Sequence, residues 1–379
     1  MAFKVRKSSN KNPPILSHEF VIQNHADIFS CIALLFVIGL MVQATSPLAY
    51  MFIALHHNLQ NGMPMDIPFR YTYGPKDICV VFFYFLICIV MHAIIQEYIL
   101  DKVSRKLHLS KVKHSKFNES GQLLVFYFMS VLWGGDIIRK ENMLLNISSL
   151  WEGYPHTEMV FMFKFFYIIQ LSYWLHCYPE LYFQKTKREE MPARISYSTL
   201  GVVSVAAAYL LNFNRVGVCL LVLHYFSEAV HHVARLIDFV DKEEKGSKFG
   251  YIISHIAFVL ARLGSIMLSV LTFWYGLAVS DTGSGLDWRV GNFNTPTIRL
   301  TALAAVCFLQ AYLMFNFITE QVRQLREQAP AQSVRTLYAS PLQFFFFTAK
   351  RPNSQEYDEL TEVDQNTKKS LRQRTQKAK

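Results

Sequence analysis

Apolar residues fall into about eight runs of membrane-spanning length, near 28–53, 76–98, 121–138, 159–182, 195–212, 217–238, 250–279 and 296–319. About 20 apolar residues coiled as an α-helix match the hydrocarbon thickness of a bilayer. Backbone polar groups inside lipid must find partners within the protein, which such helices provide. The pattern predicts an all-α, polytopic membrane helix bundle.

The connecting segments alternate in charge. One side carries Lys4, Arg6, Lys7 and Lys11, then Lys102, Arg105, Lys106, Lys111, Lys113 and Lys116, then Lys185, Lys187, Arg188 and Arg194, then Lys242, Lys245 and Lys248, and a basic tail. The other side has Arg70, Arg139, Lys140, Arg215 and Arg289. Basic loops stay cytosolic, so both termini are expected in the cytosol. The net charge of +10 then reflects topology and attraction to anionic headgroups. No specific nucleic-acid partner is expected, because loop 102–116 and the tail carry no nucleic-acid fold signature.

Composition narrows the picture further. The mean hydropathy of +0.19 is modest for a membrane bundle because the loops and tail are polar. All six cysteines (Cys31, Cys79, Cys88, Cys177, Cys219 and Cys307) lie inside expected spans without paired spacing, which fits packing better than a disulfide framework or a zinc site. The first 27 residues are polar and lack a small-residue cleavage site, so the first span is expected to act as an uncleaved signal-anchor. Ser17, His18, Glu19 and Phe20 have capping-type spacing for a short cytosolic helix. Loop 102–120 is expected to lie in the membrane interface, and the tail from Ala329 to be largely disordered. The run Phe344 to Phe347, too short to span, is a candidate to dip into the headgroups. Of two sequons, Asn118 is expected cytosolic and bare, and Asn146 lumenal and open to glycosylation.

Ionisable side chains inside spans are costly and usually face the bundle interior or a wet cavity. His224, Glu228, His231, Arg235 and Asp238 recur at helical spacing on the sixth span, with His232 at the flank. At 100° per residue they share an arc of roughly 120°. Phe226, Ala229, Val230, Val233 and Ile237 fill the opposite arc. Gln170, Tyr173, His176 and Glu180 form a looser stripe on the fourth span; His255, Arg262 and Gln310 add to the later ones. Three readings stay open at this point. The residues form an interior hydrogen-bond network, or a hydrated cavity for a polar-ended guest such as a lipid head or peptide segment, or a metal or acid–base site. For the last, His224, Glu228 and His232 have a suitable spacing, but three ligands on one helix seldom converge without help from another segment.

Several stretches resemble a known family. They run from Pro14 to Asp27, Gln96 to Lys102, Lys113 to Gln122, Tyr173 to His176, Pro179 to Lys185, and Gly291 to Asn294. The chain resembles the translocating chain-associating membrane (TRAM) proteins of the endoplasmic reticulum, from about residue 13 to 327. The resemblance implies a TLC domain over 117–326, a helical membrane fold shared with ceramide synthases. This would be preceded by a cytosolic segment (1–27) and two spans with a basic loop (28–116), and followed by the tail (327–379). It implies an endoplasmic-reticulum protein beside the Sec channel, contacting signal sequences and transmembrane segments of ribosome-bound nascent chains. Ceramide synthases carry a His-His pair and a downstream His-Asp pair, and an ungapped comparison places Tyr197-Ser198 and His224-Tyr225 at those positions. Acyl transfer by that route then lacks its base, and His231-His232 lies elsewhere. A departure from many relatives is the first lumenal loop, where Asn58-Leu59-Gln60 is not a sequon.

The expectation is a non-catalytic translocation accessory without cofactor or metal. Gln170, His176, His224, Glu228, His231 and Arg235 are its candidate intramembrane contacts for nascent segments or lipid. The alternative is a TLC-domain protein that binds or modifies sphingolipid-like molecules.

Overall fold

A computed structural model describes residues 14, 17–59, 69–241, 245–280 and 285–328. The basic residues at 4–11, Lys242 and the tail with Phe344 to Phe347 lie outside them. The helices are α1 (His18–Gly39), α2 (Ser46–Ile53), α3 (Asp77–Ile94), α4 (Asp101–Lys106), α5 (Lys111–Lys140), α6 (Phe161–Phe183), α7 (Met191–Leu210), α8 (Asn214–Val240), α9 (Lys245–Ser269), α10 (Leu277–Val279) and α11 (Pro296–Gln328). Strands β1 (Arg70–Tyr71) and β2 (Met159–Val160) pair antiparallel. Widened π-helical turns at Ile95–Leu100 and Val270–Gly276 join α3 to α4 and α9 to α10.

Among the described residues, six helical stretches are long and apolar enough to cross a membrane: His18–Gly39, Asp77–Lys106, Val112–Lys140, Asn214–Val240, Lys245–Val279 and Pro296–Arg326. The fourth and fifth runs coincide with helices α6 and α7, 23 and 20 residues long, which are not among these six. They carry too many polar residues to join that set. The chain is a polytopic helical membrane protein.

Three boundaries differ from expectation, each for a local reason. The Ser17 hydroxyl accepts the Phe20 N–H at 3.2 Å and so caps a helix, as its spacing predicted. That helix is long: it is α1 itself, begun ten residues before the apolar run. The same run does not continue to residue 53 as one helix. Thr45 donates its hydroxyl to the Gly39 carbonyl at 2.9 Å, a side-chain bond that competes with helix continuation. Pro47 then starts α2. A Cβ on Gly39 would sit 3.2 Å from that of Ala49, so α2 packs against the end of α1. Loop 102–120, expected at the interface, is mostly the ends of α4 and α5, because Ser110 caps α5 ahead of the lysines.

Contacts divide the chain into two compact units, one of residues up to Ile94 with Thr157–Phe213, the other of Ile95–His156 with the chain from Asn214 onward. In the first, α3 buries Val80, Phe83, Leu86 and Ile89 and packs on α6, α1 and α2. The Ser172 hydroxyl donates to the Val81 carbonyl at 3.0 Å across that contact. Gly201 of α7 leaves room for the Trp174 ring. The dominant polar feature is Lys164 near the start of α6, fully buried. Its ammonium meets the Asp77 carboxylate at 2.7 Å and donates to the carbonyls of His56 at 2.8 Å and Thr72 at 2.7 Å. Asp77 accepts also from the Tyr209 hydroxyl at 2.8 Å and the Gly74 N–H at 2.9 Å. One ion pair thus fixes α3, α6, α7 and the loop between α2 and α3.

In the second unit α8 packs between α5 and α9, and α11 lies on α9. Tyr127 and Tyr225 meet at 5.4 Å between ring centres, and Phe258 stacks on Phe317 at 4.7 Å. Gly250 faces Ala234, where a Cβ would come within 3.2 Å. The segment between α5 and α6 is tied to the start of α8. Asn214 donates to the His156 carbonyl at 2.7 Å, and Arg215 to the Ser149 carbonyl at 2.9 Å. Burial, with Arg215 nearby, pushes the His156 imidazole down to about 4. It is therefore neutral at physiological pH, paired with the Glu152 carbonyl at 2.9 Å.

Removing one partner of a buried ion pair strands the other, at a cost of about 3–5 kcal/mol. Lys164→Met is expected to destabilise the folded protein by about that much in denaturant titration in micelles. Lys164→Met with Asp77→Leu should recover much of the loss. Equal destabilisation by the single and double variants would show that the pair does not hold these elements together.

Candidate functional site

The sequence stretches that carry the family resemblance turn out to be contact sites. Gln96 and Asp101 come from one, and Asn118, Gly121 and Gln122 from another. The Asn118 amide donates to Asp101 at 2.7 Å, Gln96 donates to the same carboxylate oxygen at 2.9 Å, and Gln122 donates to Gln96 at 3.3 Å. Gly121 leaves space for Leu100. Asn118 is thereby buried in helix, unlike Asn146, which is exposed between α5 and a short 3-10 turn. The stretch from Gly291 to Asn294 is a clasp. Gly291 takes φ +73°, the Phe293 N–H donates to the Tyr154 hydroxyl at 3.1 Å, and Asn294 donates to the Leu277 carbonyl at 2.8 Å.

The six expected intramembrane residues divide between the units. Gln170 and His176 lie buried on α6 in the first. His224, Glu228, His231 and Arg235 lie on α8 in the second.

Arg262 of α9, 1% exposed, organises the second group. It donates to Nδ1 of His224 at 3.0 Å, to Gln310 of α11 at 3.0 Å and to the Ser227 hydroxyl at 3.4 Å. Glu228 is 3.8 Å from it, and its guanidinium lies over the Phe258 ring at 4.8 Å. A guanidinium can serve several acceptors at once through its fixed fork, which suits a cation linking three helices. The network is not sealed, because the side chains of His224 and Glu228 are each 22% exposed. Lower on α8, His231 meets the Ser254 hydroxyl at 3.4 Å, and Asp238 accepts from Ser247 at 2.7 Å. His232 departs from this set and stacks on Tyr127 of α5 at 5.7 Å. On the opposite arc Phe226, Val233 and Ile237 are exposed, as expected for a lipid-facing surface, whereas Ala229 is buried.

In the first unit, His176 and Glu180 of α6 meet His92 of α3. His92 is 3.4 Å from His176 and 3.2 Å from Glu180. Sequence reading found Glu180 and His176 but missed His92, Asp77 and Lys164. His92 is a lone histidine in an apolar run, and Lys164 sits among phenylalanines, so neither belongs to a periodic polar stripe. Arg262 and Gln310 were visible as polar residues within spans, but their meeting with His224 is a tertiary fact.

This architecture defines a polytopic helical membrane protein with buried polar networks among its helices, and comparison with known proteins gives its class. A model of the TLC domain family matches residues 116–319. The chain is 46% identical over 335 residues to translocating chain-associated membrane protein 2 of Homo sapiens, covering 88% of this chain and 89% of that protein. The corresponding protein of Mus musculus matches at the same identity and coverage. Sphingosine N-acyltransferase lac1 of Schizosaccharomyces pombe is 23% identical over 186 residues, 48% of each chain. The chain belongs to the translocating chain-associated membrane protein family, within the TLC-domain superfamily.

Proposed function

We propose that this protein is a non-catalytic accessory of protein translocation in the endoplasmic-reticulum membrane. It works beside the Sec channel on ribosome-bound nascent chains, contacting signal sequences and transmembrane segments as they enter the bilayer. The carrying observation is similarity over nearly the whole chain to proteins named for association with translocating chains. The acyltransferase relative matches only about half of each chain at half the identity. Tyr197-Ser198, in place of a His-His pair, supplies no base for acyl transfer.

The Arg262 network supports a physical role. A charged residue at the bilayer centre costs about 2.5–3.5 kcal/mol on insertion scales. Segments with polar or charged residues therefore partition poorly into lipid alone. His224 and Glu228, held by Arg262 yet partly exposed, offer such segments hydrogen-bond and charge partners, and His231 and Arg235 extend that face along α8. Gln170 and His176 provide a separate polar stripe on α6. The TLC domain is assigned to 117–326, between the opening spans (28–116) and the tail (327–379). The termini are assigned to the cytosol by the charge alternation of the loops, which places Asn146 in the lumen.

Two measurements follow. Replacing His224 and Glu228 together with Leu should lower insertion of weakly hydrophobic or charge-bearing segments severalfold in reconstituted membranes, with strongly hydrophobic clients unaffected. A double variant that loses stability but inserts every client with wild-type selectivity would make the network a packing device. Endoglycosidase digestion should shorten the apparent mass of the wild type and not of Asn146→Gln. A glycan on Asn118 with none on Asn146 would reverse the orientation.

A further inference from the structure

We propose that the groove between α8 and α11, at the Val240 end of α8, binds a phospholipid headgroup. Arg235 and His231 hold its phosphate. Gln321 accepts from a donor beyond the phosphate, such as the ammonium of an ethanolamine or serine headgroup. The site lies inside one compact unit. It shares α8 with the face offered to nascent segments, but its ligand is a lipid and it stands whether or not that reading does.

Hydrogen bonds and packing fix the register of the three helices. Between α8 and α9, His231 meets Ser254 at 3.4 Å, Asp238 accepts from Ser247 at 2.7 Å, and Ala234 faces Gly250. Between α9 and α11, Arg262 donates to Gln310 at 3.0 Å and His255 meets Phe317 at 5.2 Å between ring centres. One turn on from His255 and Phe317, in antiparallel sense, come Tyr251 and Gln321. Arg235, next to Ala234, reaches the same level, and His231 lies 6.3 Å from Tyr251 between ring centres. Arg235 also shares a face with Glu228, two turns away. Glu228 lies 3.8 Å from Arg262, the residue that joins α8 to α11. Arg235, His231, Tyr251 and Gln321 therefore line one end of the groove, with α9 as its floor.

The polar groups at that end do not satisfy one another. Arg235 is half-buried, and among the described residues its guanidinium has no hydrogen-bond or ion-pair partner. The neighbouring acids are engaged elsewhere: Glu228 with Arg262, Asp238 with Ser247, and Glu320 with Arg323 at 2.7 Å. Gln321 is 5% exposed, and its Oε1 is buried without a donor. A positive charge without a counter-ion thus shares a level with an acceptor without a donor. A simple anion would serve the first and leave the second unmet. A headgroup that carries a phosphate and an N–H or O–H serves both, whereas choline has no such donor. Depth identifies the source. Arg235 stands five residues before Val240, about 8 Å along the helix, at the boundary where headgroups meet acyl chains. An arginine there extends its stem to reach phosphate and binds it through the guanidinium fork. With the Ser254 hydroxyl donating to Nδ1 of His231, the Nε2–H of that ring remains for the same phosphate.

The test uses the full-length protein, purified in detergent, delipidated and titrated with short-chain phosphatidylethanolamine or phosphatidylcholine. Native mass spectrometry is expected to show one phosphatidylethanolamine per chain, held about tenfold tighter than phosphatidylcholine. Arg235→Gln should weaken both lipids about tenfold or more, and Gln321→Leu should abolish the preference between them. Arg139→Gln, which removes an exposed charge at the end of α5, should bind as the wild type does. A photoactivatable phosphatidylethanolamine should label wild-type peptides containing Arg235 or Gln321, a readout that needs no variant to fold. Wild-type binding by Arg235→Gln, an equal loss in Arg139→Gln, or labelling confined to other helices would overturn the site. So would a wild type that does not distinguish the two lipids. Displacement by glycerophosphoethanolamine at the lipid's own concentration would make the ligand a soluble phosphate ester and overturn the lipid assignment.

Discussion

A buried cation with no water to solvate it must find all its partners in the protein, and the described residues include two. Lys164 and Arg262 are the largest buried charges of their respective units, and each gathers several segments because no single neighbour can satisfy it. Lys164 collects a carboxylate and two loop carbonyls. Arg262 collects a histidine and a serine from α8 and a glutamine from α11. Apolar packing brings the helices together, but these cations decide which faces meet.

The two differ in what they leave available. The Lys164 pair is closed: Asp77 is engaged by Tyr209 and Gly74 as well, so its contribution is structural. The Arg262 network holds His224 and Glu228 in place while leaving part of each side chain accessible. A polar group that is oriented but not fully covered can exchange its partner for one on a passing segment. That difference separates a structural lock from a face suited to transient contact, and it is the physical basis of the accessory role proposed for the family similarity.

Much of this was legible in the sequence. Hydropathy runs located every long helix among the described residues, because length and apolarity are local properties. The polar stripe on α8 was visible because helical period puts His224, Glu228, His231 and Arg235 on one face. The break between α1 and α2 was not, since Leu40, Met41 and Val42 are as apolar as a span and the break depends on Thr45 reaching back to Gly39. Nor was the helical nature of residues 111–120, where the lysines hid a helix capped by Ser110. Lys164, His92 and Asp77 lacked any signal, because each matters only through a partner at least 80 residues away. Two of the stretches that mark the family meet each other, through Asp101 and Asn118, and a third reaches Tyr154, outside them, through Phe293.

The most direct test of the central claim is site-specific photocrosslinking from a ribosome-stalled secretory chain, with the probe in its signal sequence, in membranes containing this protein. The account predicts an adduct that disappears when the chain is released, mapping to peptides of α8 or α9 near His224 and Arg262. No adduct across several clients, with the protein present and correctly oriented, would contradict it.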